Sequence, residues 1–140
     1  MIWETETIPP DDLLFMRVHK NLIKENEPIP LAFKVHGENE QKGASTDWQK
    51  YSTSQQTRSR LTRKDAPAKP PENYGVVEFS VNKVASQGLL TAHAPIQEHP
   101  ELFDNRAHTN IKGTEPDMDN EVRVKLLDAY RWAVLLSDPL

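Results

Sequence analysis

Cysteine is absent from this chain, which excludes disulfides and thiolate metal sites. Cysteine usage therefore does not indicate whether the protein works in an oxidising or a reducing compartment. No apolar run approaches the roughly 20 residues that span a bilayer. The N-terminal residues 1–7 are acidic and lack the basic-then-apolar order of a signal peptide. We therefore expect a cytoplasmic protein that makes no contact with a membrane.

The common sequence signatures of catalysis are also missing. The chain contains no Gly-x-Gly-x-x-Gly, Walker loop, Gly-x-Ser-x-Gly or His-Glu-x-x-His motif. No two of its five histidines have the three- or four-residue spacing of a metal pair on a helix. They are His19, His36, His93, His99 and His108. We expect no metal and no cofactor.

Length and composition limit the architecture. A chain of 140 residues with 36% hydrophobic residues and a mean hydropathy of -0.70 predicts one domain with a small core. Proline outnumbers glycine by 11 to 5, which predicts long, stiff connections. We predict a single domain over residues 1–140, with a Pro-rich surface linker at residues 64–73.

Periodicity predicts an α+β fold. Alternation at residues 13–19 predicts a strand with Phe15, Arg17 and His19 on one face, and residues 74–81 read as a central strand. Further strands are predicted at residues 31–35, 89–93 and 106–111, and a helical turn at residues 82–87 before Gly88. Thr46 and Gln49 have the spacing of a capping box, which predicts a helical turn or two, renewed through residues 55–63.

The C-terminal region predicts the longest helix. Apolar residues recur at three- and four-residue spacing through residues 119–136. The predicted strands and this helix together predict an α+β domain. Its small, mostly antiparallel sheet is covered by one C-terminal amphipathic helix and joined by long Pro-rich loops.

The polar segment at residues 104–113 is the densest candidate site. Arg106, His108, Thr109 and Lys112 together are typical of an anion or polar-ligand site, and Asn105 can bond backbone groups beside them. The alternative is structural: a turn and a strand in which His108 is buried and hydrogen-bonded.

Arg17 and His19 on the first strand offer a second half of such a site. In an enzyme acting on a phosphate-bearing substrate, Arg17 and Arg106 would clamp anions and His19 or His108 would exchange protons. Asp47 would orient the histidine. This hypothesis requires side chains that are distant in sequence to share one concave surface.

A basic run offers another alternative. It comprises Arg58, Arg60, Arg63, Lys64 and Lys69. Two aromatic residues precede the run, a combination suited to single-stranded nucleic acid through stacking and phosphate contacts. The formal charge of -4, from 17 basic and 21 acidic residues, disfavours this hypothesis. A solvated helix end that leads into the linker explains the run more simply.

Several of these pieces together resemble a set of small uncharacterised bacterial proteins. The resemblance is carried by residues 14–19, 45–51, 57–58, 74–77, 105–109 and 121–126. It implies a compact domain of bacterial, cytoplasmic origin and brings no activity with it. The recurring pattern would include Arg17, His19, Asp47, Arg58, Asn105 and His108.

Two functions remain open from the sequence. The absence of catalytic motifs and the small core favour an interaction or accessory protein, of the immunity type for example, that docks on a larger protein partner. The alternative is a small enzyme or binding domain for a phosphate-bearing ligand such as a nucleotide or RNA end. Its catalytic residues would be His19, His108 and Asp47, with Arg17, Arg58, Asn105, Arg106 and Thr109 binding the ligand.

Overall fold

The computed structural model describes residues 2–37 and 42–140. Within them the strands are β1 Leu13–His19, β2 Ile23–Lys24, β3 Glu27–Pro28, β4 Val35–His36, β5 Gly43–Trp48, β6 Tyr74–Ser80, β7 Leu90–His93, β8 His108–Lys112 and β9 Arg131–Val134. The α-helices are α1 Ser54–Ser59, α2 Val81–Ser86 and α3 Asp119–Ala129, and 3-10 turns occupy Lys20–Leu22, Pro30–Ala32 and Pro71–Asn73.

Antiparallel pairing joins seven of the described strands into one sheet. The order is β7-β8-β5-β1-β6-β9, and β4 pairs with β5 beside β1. The strands β2 and β3 form a separate hairpin. The predicted mixture of helices with an antiparallel sheet is confirmed, and β1 has the predicted bounds.

One face of the sheet carries the main hydrophobic core. Leu14, Met16 and Val18 of β1 point to this face, because alternate residues of a strand share a side. The helices α2 and α3 contribute to the same core. Their buried members are Val81, Val84, Val122, Leu126 and Ala129. The contacts of α3 run chiefly to α2, the Pro30–Ala32 turn and β4.

The opposite face is partly covered by α1. Phe15, Val76 and Val134 form a smaller apolar cluster there, and α1 packs against β1, β6 and β9. The helix α1 begins with a capping box, in which Thr53 Oγ1 accepts from the amide of Gln56 and Gln56 Oε1 accepts from the amide of Thr53.

The helical turn predicted directly after Thr46 is wrong, since residues 43–48 form β5, whereas its predicted renewal through residues 55–63 is met in part by α1. Ala44, Thr46 and Trp48 alternate onto the core face. The hydroxyl of Thr46 donates to the carbonyl of Thr109 on the next strand, at 3.0 Å, instead of capping a helix. Pairing with β1 and β8 outweighs the local capping pattern. The strand predicted at residues 31–35 is also largely replaced, by the Pro30–Ala32 turn and the short β4.

The C-terminal helix is shorter than predicted. It ends at Ala129, and Tyr130 has extended backbone angles of φ -71° and ψ 155°. Residues 131–134 then form β9, which pairs with β6 through Val77 and Trp132. Among the described residues, no helix has the length and apolar character needed to cross a membrane. Residues 64–70 of the predicted linker are exposed and contain no helix or strand.

Candidate functional site

Strand pairing brings Asp47 and His108 together. Asp47 lies opposite Phe15 of β1 on one side and opposite His108 of β8 on the other. Side chains that are directly opposite in paired strands lie on the same face of the sheet. Both predicted site residues therefore lie on the face that carries α1.

Asp47 is buried and fully hydrogen-bonded. Its Oδ2 accepts from Arg60 Nε at 2.7 Å and from Thr57 Oγ1 at 2.8 Å, and its Oδ1 accepts from Asn105 Nδ2 at 2.9 Å. Arg60 also donates to Ser52 Oγ at 2.8 Å. This network ties α1 and the chain around Asn105 to the sheet, which gives Asp47, Arg60 and Asn105 structural roles.

Arg58 is the most deeply buried cation, with 1% of its surface exposed. Its three guanidinium nitrogens donate to backbone carbonyl oxygens at 2.9 to 3.2 Å. The acceptors belong to Pro71, Tyr74, Leu136, Asp138 and Pro139. The guanidinium therefore joins α1, the start of β6 and the C-terminal residues, and its donors are directed away from solvent.

Ser45 and His108 form a hydrogen-bonded pair on the same face. His108 Nε2 lies 3.2 Å from Ser45 Oγ, and His108 Nδ1 lies 2.8 Å from the carbonyl oxygen of Ala94. A carbonyl only accepts, so Nδ1 carries the proton and the lone pair of Nε2 faces the Ser45 hydroxyl. Burial lowers the pKa of His108 below 6.5. Ser45 itself is exposed.

Arg17 lies on the same sheet face, two residues along β1 from Phe15, which pairs with Asp47. Its Nη1 donates to the carbonyl of Arg60 at 2.8 Å and its Nη2 donates to Thr62 Oγ1 at 3.0 Å. The Arg17 guanidinium and the His19 ring both contact the ring of Tyr74, at 5.1 Å in each case. His19 Nδ1 accepts from the amide of Asn21. His19 thus shares a face with Arg17 but lies at the far end of the strand.

Two further basic residues flank Ser45 on the side of β4. Val35 pairs with Ala44 and packs against the core. Lys34 and His36, the neighbours of Val35, therefore point to the opposite face, where Ser45 lies. Both residues are exposed.

Lys69 of the linker completes this group. Partial burial lowers the pKa of Lys69, and the positive charge of Arg17 lowers it further. Burial likewise lowers the pKa of His36, and the charges of Lys34 and Lys69 add to the effect. Mutual repulsion of this kind requires proximity. These interactions connect Arg17, Lys34, His36 and Lys69, and strand alternation places Ser45 and His108 on the same face of the sheet as Arg17. We call this set of residues the basic patch; its members are Arg17, Lys34, His36, Ser45, Lys69 and His108.

The remaining predicted ligand residues lie elsewhere. Arg106 is exposed and stacks between two aromatic rings, 4.4 Å from the centre of Tyr51 and 5.8 Å from that of Trp3. Thr109 is buried on the core face, where its hydroxyl donates to the carbonyl of Ala107. Neither side chain belongs to the basic patch.

The rest of the basic run has local partners. Arg63 forms ion pairs with Asp65 at 3.0 Å and with Glu101 at 3.3 Å. Lys64 Nζ donates to the carbonyl of His99 at 3.0 Å. These contacts join two neighbouring loops at the protein surface, so both cations have structural partners.

A separate cleft of about 620 Å³ lies at the start of α3. Its floor is apolar and includes Val35, Met118 and Val122. On its wall, Lys42 Nζ and Asp119 Oδ1 pair at 2.8 Å. Opposite charges that pair with each other do not select an anionic ligand.

Arg17 and His108 were predicted as site residues from the sequence, and Lys69 as part of the basic run, whereas Lys34 and Ser45 were not singled out. Ser45 and Asp47 alternate, and recognising residues 43–48 as a strand would have placed them on one face. Lys34 and His36 gave no such signal, because β4 is only two residues long. Within residues 2–37 and 42–140, no group of three or more His, Asp or Glu side chains is arranged to hold a metal.

Comparison of the chain with protein-family models, curated proteins and solved structures gave no match. The case for a function therefore rests on the geometry of the residues themselves.

Proposed function

We propose that the protein binds a phosphate-bearing ligand, of the type of a nucleotide or an RNA end, on the basic patch. The observation that carries this proposal is a group of basic side chains on and beside the sheet face that also presents the exposed Ser45. In addition to burial, the charge of Arg17 lowers the pKa of Lys69, and the charges of Lys34 and Lys69 lower the pKa of His36. Within the described residues, these three cations form no ion pair with a carboxylate.

The chemistry of these groups suits a phosphate. Arginine and lysine donate charge-assisted hydrogen bonds to phosphate oxygens, and a hydroxyl or imidazole adds directional bonds. The chain is acidic overall, at -4, so a local concentration of cations is an exception that attracts an anion specifically to this surface.

The buried hydrogen-bond network around Asp47 helps to hold Arg17 of the basic patch in position. Asp47 neutralises Arg60 and holds it against α1. The backbone carbonyl of Arg60 in turn accepts from Arg17. In this proposal Asp47 positions Arg17 through Arg60. Arg17, Lys34, Lys69 and Ser45 bind the ligand. Arg58 and Asn105 stabilise the surrounding chain.

Calorimetric titration with inorganic pyrophosphate at low salt tests the proposal. We expect binding by the native protein, and a loss of at least about tenfold in affinity for the double variant Lys34→Gln and Lys69→Gln, equivalent to about 1.4 kcal/mol. Lys83→Gln is the matched control, because Lys83 is exposed on α2, which packs against the core face. Equal affinity of all three proteins, or no binding by any of them, would refute the proposal.

The interaction-protein hypothesis stays a prediction, as do the bacterial origin and the cytoplasmic location. The basic patch favours the phosphate ligand because it supplies a defined chemical complement.

A further inference from the structure

We propose that Ser45 is a nucleophile that His108 activates toward a phosphate ester bound on the basic patch. This inference rests on the proposed function and adds a reaction to it. The substrate class is a phosphate monoester with a good leaving group, and the catalytic residues are Ser45 and His108.

The pair has the arrangement of a nucleophile and its base. His108 Nε2 and Ser45 Oγ are 3.2 Å apart, and the Nδ1 proton is held by the Ala94 carbonyl at 2.8 Å. The fixed tautomer leaves Nε2 free to take the hydroxyl proton, while a third group orients the ring. Burial keeps the imidazole neutral near neutral pH by lowering the pKa of His108.

Both residues stand on paired strands. Ser45 lies opposite Asn110, and Asp47 lies opposite His108, so the two strands fix the separation of base and nucleophile. Ser45 is exposed whereas His108 is half-buried. A substrate can therefore reach Oγ from solvent while the base stays sheltered. Sites on regular strands hold such geometry more firmly than sites on loops.

The step is balanced without a further reactant. Ser45 Oγ attacks the phosphorus, its proton passes to His108 Nε2, and the bond from phosphorus to the leaving-group oxygen breaks. The leaving-group oxygen lies opposite Oγ in an in-line displacement, so it departs as the anion and takes its proton from solvent, while His108 stays protonated. Water then attacks phosphoserine from the vacated side and loses a proton to solvent, and the His108 imidazolium returns its proton to Ser45 Oγ, which restores the free hydroxyl and releases inorganic phosphate.

The neighbouring cations favour the transfer. Charge on the phosphoryl oxygens is stabilised by positive groups that are already in position. Arg17 is held in place by its two hydrogen bonds to Arg60 and Thr62, and Lys69 lies near Arg17. The same cations that would bind the ester would thus stabilise it during the reaction.

Incubation with p-nitrophenyl phosphate tests the inference through two readouts. We expect release of p-nitrophenol, and a phosphoryl group on Ser45 detected by peptide mass spectrometry after acid quenching. Ser45→Ala and His108→Gln should both lower the rate of release at least about 100-fold. The control is Ser59→Ala, because Ser59 is an exposed serine whose hydroxyl only contacts the carbonyl of Gln55.

The outcomes separate the two proposals. Labelling of Ser45 that requires His108 and survives Ser59→Ala supports the inference. Pyrophosphate binding without any transfer, or transfer that Ser45→Ala leaves unchanged, overturns the nucleophile and leaves the proposed function standing. Absence of both binding and transfer overturns both. Circular dichroism of each variant establishes that it is folded.

Discussion

The Asp47 carboxylate and the Arg60 guanidinium form an ion pair next to Arg17 of the basic patch. Asp47 Oδ2 and Arg60 Nε are 2.7 Å apart, and the Asp47 side chain is 8% exposed. Because the Arg60 carbonyl accepts from Arg17, the pair links the buried network to the exposed cations.

Asp47→Asn should lower the free energy of unfolding by about 2–4 kcal/mol, because it leaves the charge of Arg60 unmatched in a largely buried place. Urea unfolding measures this change. Asp65→Asn is the control, since Asp65 pairs with Arg63 at the exposed surface, and its effect should stay within about 1 kcal/mol. Equal effects of the two substitutions would contradict the structural role of Asp47.

Arg58→Lys should also destabilise the protein, by about 2–4 kcal/mol. An ammonium has one nitrogen, so it cannot replace three nitrogens that bond carbonyls of separate segments. Arg131→Lys provides the comparison, because the Arg131 side chain is 72% exposed and its replacement should change stability by less than about 0.5 kcal/mol. An Arg58→Lys variant as stable as the native protein would show that these guanidinium hydrogen bonds are dispensable.

Gly75→Ala should cost about 1–3 kcal/mol through overpacking. A Cβ at residue 75 would lie 2.8 Å from Trp132 Cζ3 and 3.1 Å from the carbonyl oxygen of Val134. Thermal unfolding of the single variant and of Gly75→Ala combined with Trp132→Leu measures the clash. The added alanine should cost less in the Trp132→Leu background; an equal cost would exclude the ring as its cause.

Stability should fall as the pH drops below about 6.5, the ordinary pKa of histidine. Burial lowers the pKa of folded His108, so the unfolded chain takes up a proton at a pH where the folded protein does not. The His108 contribution is therefore complete above pH 6.5 and is lost as the pH falls toward the lower folded pKa. Titration of the His108 ring by NMR should give a pKa below 6.5. A value at or above 6.5 would contradict the neutral Nε2.

Local alternation predicted β1 and β6, because each has one face committed to the core. It failed where a local pattern fits two structures. Thr46 and Gln49 match a capping box, and residues 131–134 continue a helical stripe, but in both places pairing with distant strands decides the structure.

In the candidate site, too, single residues could be predicted from local patterns but their grouping could not. Arg17 was identifiable as a charged residue in an apolar strand, and His108 through its place in a dense polar segment. Their convergence depends on the order β8-β5-β1, which no local pattern encodes. The structural roles of Arg58 and Asn105 were equally hidden, since their acceptors are distant in sequence.

An NMR titration with inorganic pyrophosphate, following backbone amides, tests the central claim most directly. Binding at the basic patch predicts shifts concentrated at His36, Ser45 and His108, with the amides of α2 unchanged. Shifts that are centred on the cleft at the start of α3, or that spread evenly over the surface, would contradict the account.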